Sequence, residues 1–260
     1  MSNSATAPTS TTASSTSSAS SPPPGKIADI WAHSDVPKYP PSWSDHSVIG
    51  SADPDRPIEI VACGALAGHI RDIAARRGWP VKVRPIAAAL HNRPQQIKSH
   101  AERMLATPET PGSRAVLAYA DCGTYGALDK LSAQVGVSRL PGLHCYDLYA
   151  GQATIEQLFA EEPGTYLLTD YLIRSFTRAV IEPLGLDRHP ELWPDYFGHY
   201  RRLVWLAQQP TPELEQAADP IIARFGLPLT RIFTGTQRLE EALASVMEPP
   251  PRPHERPRKP

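Results

Sequence analysis

Cysteine is scarce in this chain: three in 260 residues, odd in number and widely spaced, at Cys63, Cys122 and Cys145. That excludes a secreted disulfide framework, and no local C-x-x-C pair is present to mark a zinc ribbon. Long apolar runs are missing too; no stretch approaches the roughly 18 apolar residues of a membrane span. Neither sign of charge dominates, with 26 Lys and Arg against 27 Asp and Glu and a formal net charge of −1. The chain therefore lacks the overall basic field that gathers nucleic acid. Its N-terminus has neither the basic start and apolar run of a signal peptide nor the arginine content of a transit peptide. The expectation is a cytosolic protein with neither membrane nor nucleic acid among its partners.

Proline, by contrast, is abundant, with 29 in the chain, many of them near the ends. Residues 1–26 are almost entirely Ser, Thr, Ala and Pro, and "EPPPRPHERPRKP" closes the chain. Such segments bury too little apolar surface to offset the entropy of ordering them. The expected organisation is a disordered tail over residues 1–50, a single α/β domain over 51–247, and a Pro/Arg-rich disordered tail over 248–260.

Within the domain, three stretches share a rhythm. "IEIVACGALAGHIRDIAARRGWPVKVRPIAAALH" (58–91) reads as a strand, a Cys-Gly turn, a helix, a stopping Gly and a second strand. Leu66, Ile70 and Ile73 supply the helical spacing. "RAVLAYADCGTYGALDKLSAQVGVSRLPGLHCY" (114–146) repeats the pattern with Cys122-Gly123 at the turn. "RLVWLAQQPTPELEQAADPIIARFGLPLTRIFTG" (202–235) repeats it again, with Gln208-Gln209 in place of cysteine and Pro220 inside the helical part. Strands alternating with helices imply a mainly parallel sheet built from βαβ-like units. The stretch about 152–200, mostly helical in pattern, reads as an insertion before the third unit, with Thr169-Asp170 as a helix cap.

The chemistry-bearing residues fall at the carboxyl ends of predicted strands. Cys63, Cys122, Cys145 and His91 all take such positions, where open parallel sheets bind ligands. Three thiols with an imidazole suit a zinc ion, the favoured choice, with Cys63, Cys122, Cys145 and His91 as ligands; an iron–sulfur cluster on the three thiolates is the alternative. Asp121 and His144 are the candidate catalytic or orienting groups. Gly64 and Gly123 follow cysteines at strand-to-helix turns, where helix N-termini favour thiolates and anionic ligands. A metal-free cysteine hydrolase, with a thiol paired to His91 or His144, is a further reading of the same residues. So is simple packing of three small, half-apolar side chains. Trp193, Tyr196, Phe197 and Tyr200 fall at helical spacing and read as core, whereas His69, His100 and His254 read as surface residues.

Taken in order, "ACGAL", "LHNRP", "YADCG", "GLHCY", "EPGTYLLTDYL", "GLDRHPEL" and "YFGHYRRLVWLAQ" resemble the family catalogued as domain of unknown function 1638. The resemblance covers roughly 58–245 and brings no catalytic residue with it. It implies a setting in corrinoid-linked one-carbon metabolism. From that setting follow a metal-dependent methyltransferase acting on a small-molecule substrate, or an accessory protein that binds a corrinoid protein or delivers a metal or cofactor.

Overall fold

The computed structural model describes residues 57–247. The tails expected at 1–50 and 248–260 lie outside the described residues. From Ile58 the chain builds strand β1 (Ile58–Cys63), helix α1 (Gly64–Arg77) and strand β2 (Val81–Ile86), followed by two short 3-10 turns and helix α2 (Ile97–Ala106). Then come β3 (Arg114–Ala118), α3 (Ala127–Val135), the two-residue β4 (Ser138–Arg139), α4 (Asp147–Ala150) and α5 (Gln152–Glu161). The second half holds β5 (Thr165–Thr169), α6 (Asp170–Phe176), α7 (Trp193–Phe197), β6 (Arg202–Ala207), α8 (Pro212–Phe225), β7 (Leu229–Phe233) and α9 (Gln237–Met247).

Each of the three repeated stretches is a strand–helix–strand unit whose strands pair in parallel: β1 with β2, β3 with β4, and β6 with β7. They do not join into one sheet. The first two form a four-stranded sheet ordered β2-β1-β3-β4, and the third forms a three-stranded sheet ordered β5-β6-β7. The extra strand, β5, comes from the stretch expected to be mainly helical. "TYLLT" runs into α6 without a Gly or Pro between them, so strand and helix merge into one apolar run in the sequence.

Central strands are buried on both faces, as parallel sheets require. Ile60, Val61, Ala62 and Cys63 are sealed in β1, and Leu203, Val204, Trp205 and Leu206 in β6. Alternate residues of β6 feed opposite cores: Leu203 and Trp205 pack with Phe176 and Phe197, while Val204 and Leu206 pack with Ile155 and Leu158. Trp193, Phe197, Tyr166 and Phe225 form an aromatic nest, with Trp193 and Phe197 centroids 4.3 Å apart. Thr169 and Thr211 cap α6 and α8, each accepting a 3.2 Å bond from the backbone N–H three residues on. Pro220 does not divide α8, which runs unbroken to Gly226.

The last helix, α9, returns to the first sheet. Leu239 and Leu243 are fully buried with Leu66, Ile70, Leu117 and Leu148 in one core.

Candidate functional site

β1 and β3 are neighbours, yet the chain leaves β1 to pair β2 on one side and β3 on the other. That reversal makes a crevice beyond their carboxyl ends, the place where open α/β sheets take ligands. Cys63 ends β1 and takes the N-cap position of α1. Gly64 is fixed by packing: a Cβ there would stand 2.7 Å from the Ile86 carbonyl oxygen. His91 sits in the 3-10 turn after β2, its Nε2 3.8 Å from the Cys63 Sγ and its Nδ1 2.7 Å from the Ala88 carbonyl. A carbonyl only accepts, so Nδ1 carries the proton and donates, leaving Nε2 to face the thiol.

Beyond β3 the chain enters "DCGTYG", 121–126. The Asp121 carboxylate accepts from the Thr124 hydroxyl (2.8 Å), the Tyr125 N–H (2.9 Å) and the Gly126 N–H (2.8 Å). It organises the loop that carries Cys122. The loop is wound tightly, with positive φ at Cys122 (49°), Gly123 (80°), Tyr125 (52°) and Gly126 (78°). Two of those residues are not glycine, so the loop holds backbone strain. Cys122-Gly123 is thus not a helix N-terminus; α3 starts four residues later, at Ala127. Gly123 serves the turn, and its face rests against the Pro94 ring.

Cys145 does not end a strand as expected. Pro141-Gly142 breaks the extended run (Gly142 φ 104°), and 142–147 is a second carboxylate-held loop. Here Asp147 accepts from the N–H groups of Leu143 (2.8 Å) and His144 (3.0 Å). The two loops are stitched together: Asp121 N–H donates to the Gly142 carbonyl at 3.0 Å and Cys122 N–H to the Leu143 carbonyl at 2.7 Å.

All three cysteines are free, and each acts on the charge of one residue, Tyr119. Its hydroxyl is raised far above the usual range by burial, then by Cys63 and Cys122 and, further, Cys145. It lies towards Cys63, yet makes no hydrogen bond of ordinary geometry. His91 stacks on the Tyr119 ring at 5.8 Å. Burial pushes the Cys122 thiol up, with Cys145 and Cys63 adding to it; burial likewise raises Cys145, with Cys63 and Asp147 adding. Burial lowers the His91 imidazole, but its bond to Cys63, the electrostatic pull of Cys63 and the Ala88 carbonyl outweigh it, so the net shift is upward. Burial lowers His144, against the pull of Asp147 and Asp121. His91, His144, Cys122 and Cys145 are only half-buried, which leaves the crevice reachable.

Donor chemistry therefore suits a soft or borderline metal, and a buried hydroxyl without a partner marks an incompletely satisfied spot. Geometry does not follow chemistry: among the described residues no group of three or more His, Cys, Asp or Glu side chains is placed so that it could hold a metal ion.

A family model described as "Protein of unknown function (DUF1638)" matches residues 69–243. The chain belongs to this family. In this DUF1638 member, His91, Cys122, His144 and Cys145 fall inside the matched span, while Cys63 and Gly64 precede it. No curated protein and no solved structure matches the chain.

Sequence reasoning missed four residues at or beside the site. Tyr119 and Asp147 flank cysteines it had singled out, and the spacing of Asp121 from Cys122 hinted at neither. His69, expected at the surface, is buried with its ring edge-on to Tyr149 at 5.7 Å. Tyr149 is raised well above the usual range by burial and then by Cys145 and Cys63, and its hydroxyl also has no hydrogen-bond partner.

Proposed function

We propose that this chain is a metal-binding protein whose centre is the cluster of Cys63, Cys122, Cys145 and His91, with zinc favoured and an iron–sulfur cluster as the alternative. One observation carries the reading: every cysteine in the chain, each from a different segment, lies near enough to the buried Tyr119 hydroxyl to act on its charge. Burial and neighbouring groups keep the Cys122 and Cys145 thiols protonated when alone, and a divalent cation would favour their thiolates. The residues fit such an ion by kind, and settling one would require the two stitched loops to draw inward. A zinc ion there would supply Lewis acidity, activating a thiol or polarising a methylated substrate. Asp121 and Asp147 would keep Cys122 and Cys145 presented, and His144 would serve as a base that is neutral near pH 7. The activity proposed is methyl-group transfer to or from a corrinoid protein in one-carbon metabolism, in the cytoplasm. An accessory role in delivering the metal is the alternative to catalysis.

A second reading rests on the 3.8 Å approach of Cys63 and His91, oriented by the Ala88 carbonyl. In it Cys63 is a metal-free nucleophile and His91 its base.

Purification without oxygen, followed by metal analysis and a visible spectrum, separates these. About one equivalent of colourless zinc, lost in Cys63→Ser, Cys122→Ser and Cys145→Ser, is the expected result. Brown protein holding iron and sulfide would replace zinc by a cluster. A folded sample that takes up neither metal and titrates three thiols would sink the metal reading. Loss of the most reactive thiol in His91→Ala would then favour the nucleophile.

A further inference from the structure

A separate cleft of ≈ 180 Å³ opens between α1 and α6, lined by Ala65, Gly68, His69, Asp72, Tyr171, Arg174 and Gln209. It adjoins the carboxyl ends of β1, β5 and β6, so both sheets offer it their ligand-binding edge. Two features set it apart from ordinary surface. Among the described residues, Asp72 and Arg174 make no salt bridge and His69 Nδ1, although buried, has no hydrogen-bond partner. Asp72 and Arg174 nonetheless both act on His69, from opposite signs of charge. The second feature is Gly68. A glycine inside a helix lowers its stability, and nothing in the protein stands within 4 Å of where its Cβ would be. Packing does not demand the glycine, and its bare face widens the cleft it lines.

We infer that this cleft binds a small zwitterion of the amino-acid class, with its carboxylate on Arg174, its ammonium on Asp72 and its body over Gly68. A guanidinium is suited to grip a carboxylate with paired bonds, and a lone carboxylate opposite is suited to an ammonium. The cleft's modest volume restricts the ligand to a small side chain. His69 and the side-chain amide of Gln209 supply the neutral hydrogen-bonding groups. This inference does not depend on a metal at the thiol cluster.

The test is calorimetric titration of the full chain with the proteinogenic α-amino acids, followed by the deamino and decarboxy analogues of the best binder. The expected result is saturable binding of at least one small amino acid, weakened about tenfold or more in each analogue. Arg174→Gln and Asp72→Asn should each weaken it by a similar factor, and Gly68→Leu should abolish it, while Arg178→Gln leaves it unchanged. All are on exposed positions, and circular dichroism confirms that each variant is folded. Binding should survive in Cys63→Ser, which separates this site from the thiol cluster. Absence of binding by every amino acid overturns the inference. So does a deamino analogue that binds as well as its parent, since that would make the cleft a simple anion site.

Discussion

Asp121 and Asp147 hold matching posts in two adjoining loops, each carboxylate gathering two backbone N–H groups beside a cysteine. Cys122 N–H, bonded to the Leu143 carbonyl at 2.7 Å, ties one loop to the other. Removing either carboxylate should loosen the thiol it presents more than it unfolds the protein. In Asp121→Ala, release of the positive φ at Cys122 and Tyr125 is expected to speed alkylation of Cys122 severalfold. The loss in global stability should be about 1–3 kcal/mol. Mass-resolved labelling with iodoacetamide, beside a urea titration, reads both.

Tyr119→Phe removes a buried hydroxyl that lies towards Cys63 without a hydrogen bond of ordinary geometry. The metal-free protein should be unharmed or gain up to about 1 kcal/mol, because no bond is lost and no polar group need stay dry. A clear loss in denaturant midpoint would mean that the hydroxyl has a partner.

Zinc affinity should climb with pH. Burial and neighbouring groups hold the Cys122 and Cys145 thiols protonated, so an ion must displace those protons to bind. Competition against a chromophoric chelator between about pH 6.5 and 8.5 should show roughly tenfold tightening per pH unit for each proton released. A flat profile would remove these two thiols from the ligand set.

His69 makes stability fall in mild acid. Burial holds its folded-state pKa below the ordinary value, with Asp170 and Asp72 pulling against burial and Arg174 adding to it. A lowered imidazole contributes fully above the unfolded value near 6.5, and the contribution is lost as pH drops through the folded value. His69→Gln should therefore flatten the decline in unfolding free energy below about pH 6.5, by at most ~1.4 kcal/mol per pH unit. His144 is shifted in the same direction, so some slope should remain.

Glu59 anchors the far end of the first sheet. Sealed in β1, it accepts from Arg84 at 3.0 Å, from the Glu109 N–H at 3.1 Å and from the Thr110 N–H. Burial raises its pKa, but those bonds outweigh it and the carboxyl titrates below its usual range. Glu59→Ala leaves Arg84 with Glu109 and the Met104 carbonyl but strips the Glu109 and Thr110 N–H groups of their acceptor, and should cost about 1–3 kcal/mol. By contrast, Glu240→Ala breaks the exposed pairs to Arg76 and Arg77 and should cost under about 1 kcal/mol. Denaturant midpoints of the two variants test the contrast.

The fold was legible where the signals are local. Leu66, Ile70 and Ile73 announced α1, and glycines marked the ends of α1, α3 and α8, where each adopts a positive φ. β5 was hidden because Thr169 both ends a strand and caps a helix, leaving no break to read. Division into two sheets was also beyond local pattern, since "AVLAYA" and "RLVWLA" carry nothing that says which strand will pair with which. At the site, the place of Cys63 at the end of β1 was legible, whereas Cys145, expected at a strand end, lies in a loop because Pro141-Gly142 breaks the extended run. The roles of Tyr119 and Asp147 were not legible, because a buried hydroxyl and a loop carboxylate gain meaning only from what surrounds them in space.

The return of α9 to the first sheet bears on how the protein is made. Leu239 and Leu243 complete a core whose other members, such as Ile60 and Leu117, leave the ribosome long before them. The lobe synthesised first is thus finished last, and the crevice holding the thiols is assembled on a sheet still missing one wall. Throughout translation of the second lobe, an unfilled apolar groove must wait for its helix, and a chaperone that shelters that groove would raise the yield of folded chain.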